Sequence, residues 1–315
     1  MNQAEIIDRA ESALKTAGFN VSERILSRPS CFDMAAQRKD QLAFIKTHGN
    51  IGSISMLDAL ELRTLSKHLA AAPILVCEKT RHRTMEDDTI YSRYGIYAIT
   101  SSTLEDIAIN GNNPLVDATP GGYYVRLNNE KLKQERQERG LSVGKLAEMT
   151  GISRRTIYGY EKGLARASVG AAYNIEYVLG IPLAQGIDVF QRPPEQDKGF
   201  LATAKRIISM HHCLRSVEHK LSKLNVFVAH TRRAPFDFIA KSQEKGVNIV
   251  GGVAYRKERN LERRVEEIVS VGKVINAQPV LIAENQEKTD NDDVTCIRRE
   301  ELEKIRDLDD LRSLL

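Results

Sequence analysis

The 315-residue chain has few cysteines, no long apolar run and little net charge, and each absence excludes a class of protein. Four cysteines without a CxxC pair are too few for a disulfide framework, which favours a reducing, cytoplasmic location. No apolar run approaches the roughly 18 residues of a transmembrane helix, and the charged N-terminal stretch is unlike a signal peptide, so we expect no membrane partner. A formal net charge of +4 excludes a generic polyanion binder, so any nucleic-acid surface must be local.

The common catalytic and cofactor motifs are also missing. The chain contains no GxxxxGK[ST] phosphate loop and no GxSxG nucleophile elbow, and we expect no cofactor. One region is rich in possible metal ligands, but without the close spacing of a metal site. These ligands are His211, His212, Cys213, His219 and His230. We interpret the region as a packed or surface helix and predict no metal site.

What is present is an ordinary globular composition, with 42% hydrophobic and 28% charged residues. The length predicts two or three domains. Turn-forming stretches at 110–122 and 191–195 divide the chain into residues 1–122, 123–190 and 191–315. The middle segment is the most basic for its length, because residues 126–190 contain ten Lys and Arg against seven Asp and Glu.

The two outer segments resemble each other. The hexapeptides at 31–36 (CFDMAA) and 235–240 (PFDFIA) and the apolar runs at 73–76 and 279–282 recur with an offset of about 200 residues. Helical periodicity precedes and follows short apolar strands in both segments, with predicted helices at 3–17 and 200–221 before the strands. Strands are predicted at 20–26 and 225–230. We predict two α/β units with sheets of mixed direction, the second a diverged repeat of the first.

The middle segment, in contrast, is predicted to be all-helical. Ser142, Ser153 and Ser168 stand where N-caps are needed, and glycines follow the predicted helix ends. Four helices are predicted over 128–139, 143–150, 154–162 and 169–179, and Ile181-Pro182 is predicted to open a short fifth.

The spacing of Ala147, Gly151 and Ile157 is typical of a helix-turn-helix, which needs a small residue, a tight turn and an apolar anchor. The run from Leu146 to Gly163 (LAEMTGISRRTIYGYEKG) resembles the Cro/C1, or XRE-like, family over about 60 residues including the later helices. The chain departs from that family at three positions. Val143 stands where many members have a phosphate-binding Gln, Gly144 lies inside a helix, and Ala167 stands where Pro is frequent.

The resemblance implies that the helix at 153–162 enters the DNA major groove. Residues facing away from the core at its N-terminal end are predicted to read bases. They are Ser153, Arg154, Arg155 and Tyr158. A second set is predicted to contact the DNA backbone. It consists of Arg136, Ser142, Val143, Lys145, Thr156, Lys162 and Arg166. Glu161 is interpreted as a structural residue.

The order of elements in the outer segments resembles the restriction-endonuclease-like fold, whose active site combines an Asp with a following acid-x-Lys. Asp33 and Lys46 match two of these groups, but Phe44 replaces the acid. Asp237 is followed by neither acid nor Lys in 248–252. We predict that both units are catalytically degenerate. On the bland alternative, the two aspartates simply bond to backbone near a strand turn.

The layout of the whole chain resembles a group of archaeal HTH-type transcriptional regulators. This implies a sequence-specific, non-enzymatic transcription regulator that binds double-stranded DNA as a homodimer, with outer units that dimerise, sense a signal or contact the transcription machinery. Two alternatives remain open. One is a metal-dependent nuclease or resolvase guided by the helix-turn-helix. The other is an antitoxin-like protein that regulates its own operon.

Overall fold

The protein is described here by a computed structural model. It covers residues 2–191, 220–221, 226–241, 248–254, 258, 260–283, 291–298, 300–301, 305, 310 and 313. The helix predicted at 200–221 lies almost wholly outside these residues, as do His211, His212, Cys213 and His219 of the proposed histidine-rich helix. Among the helices within them, none is long and apolar enough to cross a membrane.

The N-terminal unit is a mixed sheet with helices on both faces. Its elements are α1 (Gln3–Thr16), β1 (Asn20–Val21), β2 (Met34–Arg38), β3 (Gln41–Asn50), α2 (Met56–Leu69), β4 (Ala72–Lys79), β5 (Thr89–Arg93), β6 (Ile96–Ile99) and α3 (Ser101–Asn110). Alternation along the strands supplies both cores, since Ile45 packs with α1 and α3 while neighbouring Phe44 packs with α2. The strand predicted at 20–26 is shorter than expected and ends at Val21.

The sheet has the mixed direction that the sequence predicted. Strand β2 is antiparallel to β3, whereas β3–β4 and β4–β6 are parallel pairs. The parallel β3–β4 pair is connected through α2, as a parallel crossover requires. Asp33 immediately precedes β2, and Lys46 lies within β3 on the α2 face.

The C-terminal unit repeats this arrangement. Its described elements are β10 (Phe227–His230), β11 (Phe238–Lys241), β12 (Asn248–Ala254), α8 (Leu261–Ile275), β13 (Gln278–Ala283) and β14 (Thr295–Arg298). The antiparallel pair Met34 with Ile45 in the first unit matches Phe238 with Gly251 in the second, and β12–β13 is parallel as β3–β4 is. Shared order, direction and register support the proposal that the second unit is a diverged copy of the first.

The two α/β units share one hydrophobic core. Phe32 and Phe44 of the first unit pack with Phe236 and Ile268 of the second, and the Phe32 and Phe236 rings lie 6.2 Å apart. Backbone also crosses the junction, because the Cys31 amide donates to the Arg233 carbonyl at 2.7 Å. The units therefore form one packed body within the chain.

The middle unit continues the N-terminal sheet. Its elements are β7 (Val116–Thr119), β8 (Gly122–Val125), α4 (Asn129–Glu138), α5 (Val143–Thr150), α6 (Arg154–Glu161), β9 (Ala167–Ser168) and α7 (Val169–Leu179). Strand β5 pairs with β7, and β7–β8–β9 extend the sheet to nine strands. The segment is therefore not all-helical, and the boundary predicted after residue 122 falls within β8.

The predicted fifth helix of this unit is wrong, because no helix forms at 181–190. The Glu176 carboxylate accepts the Leu183 and Ala184 amides, at 2.6 and 2.7 Å, and the Gln185 amide donates to the Arg126 carbonyl. These backbone donors are thus satisfied across the unit rather than along a helix. The chain then enters the N-terminal core, where the Phe190 ring stacks on Phe19 at 5.4 Å.

Candidate nucleic-acid interface

The geometry of α5 and α6 follows from local signals in the sequence. The Ser142 hydroxyl accepts the Lys145 amide at 3.0 Å and the Ser153 hydroxyl accepts the Thr156 amide at 3.1 Å, so both helices begin at capped N-termini. Gly151 ends α5 at φ 70°, the left-handed conformation that favours glycine. The turn between the helices is therefore set by residues that the sequence makes visible.

Burial divides α6 into two faces. Ile157 is fully buried and Tyr160 is 5% exposed, packed with Leu146 and Ala147 of α5. On the opposite face Arg154 and Arg155 are exposed and Tyr158 is 52% exposed. This is the division expected of a helix-turn-helix, in which the second helix presents one face outward.

The outward face borders an open cleft of about 730 Å³ between α5 and α6. It is lined by Ser142, Val143, Gly144, Lys145, Glu148, Arg154, Arg155 and Tyr158. The structure thus brings three of the predicted base-reading residues to one surface with three of the predicted backbone contacts. Ser153 caps α6 beside this cleft, and its hydroxyl lies 2.7 Å from that of Thr156.

Arg154 does not extend away from the protein but lies back over α5. Its Nε and Cζ atoms are 2.9 and 3.0 Å from the point where a Cβ on Gly144 would stand. Among the residues the structure describes, the Arg154 guanidinium has neither a hydrogen-bond partner nor an ion-pair partner. Gly144 departs from the Cro/C1 pattern that the sequence resembles, but the sequence does not reveal this contact, because it joins residues on different helices.

Arg136, which was predicted to contact the DNA backbone, is engaged within the protein. Its Nε and Nη2 atoms donate to the Glu161 carboxylate at 2.5 and 3.1 Å, and its Nη1 donates to the Leu141 carbonyl at 2.7 Å. The two charged side chains are only 10% and 5% exposed. The Glu161 carboxylate raises the pKa of Arg136 above its usual value. The pair fastens α4 to α6, in keeping with the structural interpretation of Glu161.

The other predicted backbone contacts differ in how free they are. Arg166 is half-exposed and donates to the Asp117 carboxylate of β7, a partner that sequence reasoning missed. Lys145 pairs with Glu148 at 3.1 Å on the surface, where such pairs contribute little. The Lys162 ammonium lies 5.8 Å from the Tyr158 ring. Val143 is half-buried and has no polar side-chain atom.

The aspartates of the outer units are engaged within the protein. Asp33 accepts the Lys46 ammonium at 2.7 Å, and its second oxygen accepts the amide and hydroxyl of Thr47. Asp237 likewise accepts a strand amide, that of Val253, at 2.7 Å. Both carboxylates therefore tie the start of one strand to the next, as the bland interpretation of these residues predicted.

The second unit neutralises its aspartate differently. Gly252 occupies the position in β12 that Lys46 occupies in β3, and the Arg264 guanidinium from α8 fills the space beside it. Arg264 donates to Asp237 at 2.5 Å, and Arg28 of the first unit donates to the other oxygen at 2.9 Å. Within the described residues, no three His, Cys, Asp or Glu side chains are placed to hold a metal ion.

Comparison with known proteins agrees with this architecture. Residues 3–114 match the PD-(D/E)XK superfamily domain, and residues 132–185 match the helix-turn-helix family. A solved complex named SinR protein/SinI protein aligns with 31% of this chain and 95% of its own at 18% identity, with a TM-score of 0.17 that supports no argument.

Relatives that match along most of the chain come from several archaea, and each is named a "Putative HTH-type transcriptional regulatory protein". The Thermococcus kodakarensis relative is 33% identical over 315 residues, covering 100% of this chain and 96% of its own. The Pyrococcus horikoshii relative is also 33% identical, with 100% and 98% covered. The Methanocaldococcus jannaschii relative is 32% identical over 288 residues, with 90% and 88% covered. The chain therefore belongs to the family of archaeal HTH-type transcriptional regulatory proteins.

Proposed function

We propose that this protein is a DNA-binding transcription regulator that reads the major groove with α6. The observation that carries the proposal is the exposed N-terminal half of α6. There Arg154 and Arg155 have no partner among the described residues and stand beside the exposed Tyr158. Arginine is well suited to this role because it binds guanine edges and phosphates bidentately.

The proposed contacts follow from where each side chain lies. The face of α6 that carries Ser153, Arg154, Arg155 and Tyr158 enters the groove. The surrounding rim meets the DNA backbone. The rim consists of Ser142, Val143 through its main chain, Lys145, Thr156, Lys162 and Arg166. Arg136 is left out because Glu161 already satisfies its charge inside the protein.

The regulator is proposed to act as a homodimer on a two-fold symmetric site. One helix-turn-helix lies within the part of the chain that the structure describes, so two half-sites about one helical turn apart are proposed to need two chains. The middle unit, which carries the helix-turn-helix, is attached to the N-terminal unit by sheet pairing with β5 and by the Phe19–Phe190 stack. A dimer formed through the α/β units would therefore set the distance between the two α6 helices. The same units are proposed to offer a surface to the transcription machinery.

The outer units are proposed to act without catalysis. The nuclease alternative needs a carboxylate free to bind a divalent cation, together with a second acid nearby. Asp33 is bound by Lys46 and Thr47, the place of the acid is taken by Phe44, and Asp237 is bound by Arg28 and Arg264. These contacts favour a structural role for Asp33 and Asp237.

In-vitro selection from a random duplex library tests the DNA-binding proposal. The expected result is an enriched motif with two related half-sites about one turn apart, and failure to enrich any motif would contradict it. The selected duplex then serves in a cleavage assay with Mg²⁺ or Mn²⁺. We expect no cleavage by the wild-type protein. Cleavage that is abolished in Asp33→Ala would establish the nuclease alternative instead.

A further inference from the structure

The backbone conformation at Gly144 does not require glycine. This residue lies in the first turn of α5 with an ordinary helical conformation, and glycine there costs stability relative to alanine. An alanine Cβ at this position would stand 2.9 Å from the Nε atom of Arg154, so the Arg154 side chain would have to shift. Glycine at this position therefore lowers the stability of the helix, and it leaves room for the Arg154 guanidinium to lie against α5.

The position of the Arg154 charge differs from that of its backbone. The Arg154 backbone is at the first turn of α6, yet its guanidinium lies over the N-terminal turn of α5. In a docked helix-turn-helix the second helix occupies the groove while the first crosses the sugar-phosphate backbone. A cation drawn back over α5 therefore faces a phosphate, whereas Arg155 and Tyr158 remain on the groove side.

The first turn of α5 offers this phosphate no guanidinium of its own. Val143 has no polar side-chain atom, Arg136 of α4 is bound by Glu161, and Lys145 has only a weak surface pair with Glu148. Arg154 has no internal partner among the described residues, so its charge is free for a ligand. A guanidinium can bind phosphate oxygens bidentately, which a lysine at the same place cannot do.

We infer that Arg154, whose guanidinium lies over Gly144, binds a DNA backbone phosphate and does not read bases, and that Gly144 is its positioning residue because it leaves room for the guanidinium there. This rests on the proposed function and changes one assignment within it. Base reading then falls to Arg155 and Tyr158. The Arg154–Gly144 contact replaces the polar side chain that Val143 cannot supply.

The test measures binding of the full-length protein to two labelled duplexes, the selected site and a scrambled sequence of equal length, over a series of KCl concentrations. Arg154→Gln is expected to weaken both duplexes by a similar factor, about tenfold. It should also reduce the slope of log K against log[KCl] by about 0.9, the value of one lost phosphate contact. Arg155→Ala is expected to weaken the selected site more than the scrambled one.

Gly144→Ala tests the positioning role, and Gly170→Ala is its matched control. Gly170 occupies the same second helical position in α7, but nothing lies within 4 Å of the Cβ that alanine would add. We expect Gly144→Ala to weaken both duplexes, Gly170→Ala to leave them unchanged, and the double variant Gly144→Ala/Arg154→Gln to bind like Arg154→Gln alone. Thermal unfolding followed by circular dichroism should show that both alanine variants remain folded.

Two results would overturn the inference. One is a loss in Arg154→Gln that is confined to the selected site with an unchanged salt slope, since that is the signature of a base contact. The other is wild-type binding by Gly144→Ala. If the wild-type protein binds neither duplex, the proposed function itself fails, and the two failures are therefore distinguishable.

Discussion

Glu61 of α2 and Glu267 of α8 occupy matching positions in the two α/β units, and each carboxylate binds the loop of the opposite unit. Glu61 accepts the Thr231 hydroxyl at 2.9 Å and the Arg233 amide at 2.8 Å. Glu267 accepts the amides of Leu26 and Ser27 at 2.7 and 2.8 Å. This reciprocal exchange relates the units as a two-fold axis relates the protomers of a dimer, although both units belong to one chain.

These reciprocal contacts predict that Glu61 and Glu267 each stabilise the junction between the two units. Glu61→Gln and Glu267→Gln should each lower the free energy of unfolding by about 1–3 kcal/mol, because the part-buried backbone donors at the junction lose a charged acceptor. Urea unfolding measures the loss. The matched control is Glu105→Gln, whose exposed pair with Arg9 at 2.9 Å should contribute less than about 1 kcal/mol. Equal effects of the control and the two junction variants would contradict the interpretation.

The glycines of β12 give a second prediction. A Cβ on Gly251 would stand 2.0 Å from the Phe238 ring, whereas nothing lies within 4 Å of the Cβ position of Gly49 in β3. Gly251→Ala should therefore overpack the core and destabilise the protein by about 1–3 kcal/mol, and Gly49→Ala should be nearly neutral. Paired thermal unfolding curves decide the matter, and comparable midpoints for the two variants would show that Phe238 moves aside freely.

The buried Arg136–Glu161 pair predicts a separation of stability from DNA binding. Arg136→Gln should lower the free energy of unfolding by about 1.5–3 kcal/mol, because it leaves the Glu161 carboxylate without its charged partner. Its salt slope on DNA, measured well below the unfolding midpoint, should equal that of the wild type. A slope reduced by about 0.9 would instead restore Arg136 as a phosphate contact.

Cysteine reactivity checks the shared core. Burial raises the pKa of Cys77 to about 12 and also raises the pKa of the fully buried Cys31, so both remain neutral thiols at pH 8. We expect alkylation at pH 8 to modify the exposed Cys296 in the native protein and to reach Cys31 and Cys77 only after unfolding. Peptide mass spectrometry with and without guanidinium measures this. Rapid native labelling of Cys31 would contradict a tightly closed core.

Much of the helix-turn-helix was predictable because its signals are local. Ser142, Gly151 and Ser153 fix the helix ends through contacts within a few residues, and the period of Ile157 and Tyr160 marks the buried face. The fifth helix was wrongly predicted for the opposite reason. Its backbone donors are taken by Arg126 and Glu176, and nothing in the local sequence reports those partners.

The sequence by itself determined the helix-turn-helix, its outward face and the likeness of the two outer units. Hydrophobic period, helix caps and repeated peptides are all visible within short stretches of sequence. Only the tertiary structure decided which charges remain free. Arg136 and Glu161 are 25 residues apart, and Glu61 and Thr231 are 170 residues apart. Gly144 and Arg154 likewise meet across two helices. A charge that is buried with a partner inside the protein, as that of Arg136 is with Glu161, is withdrawn from the surface, and such partners are brought within reach only by folding.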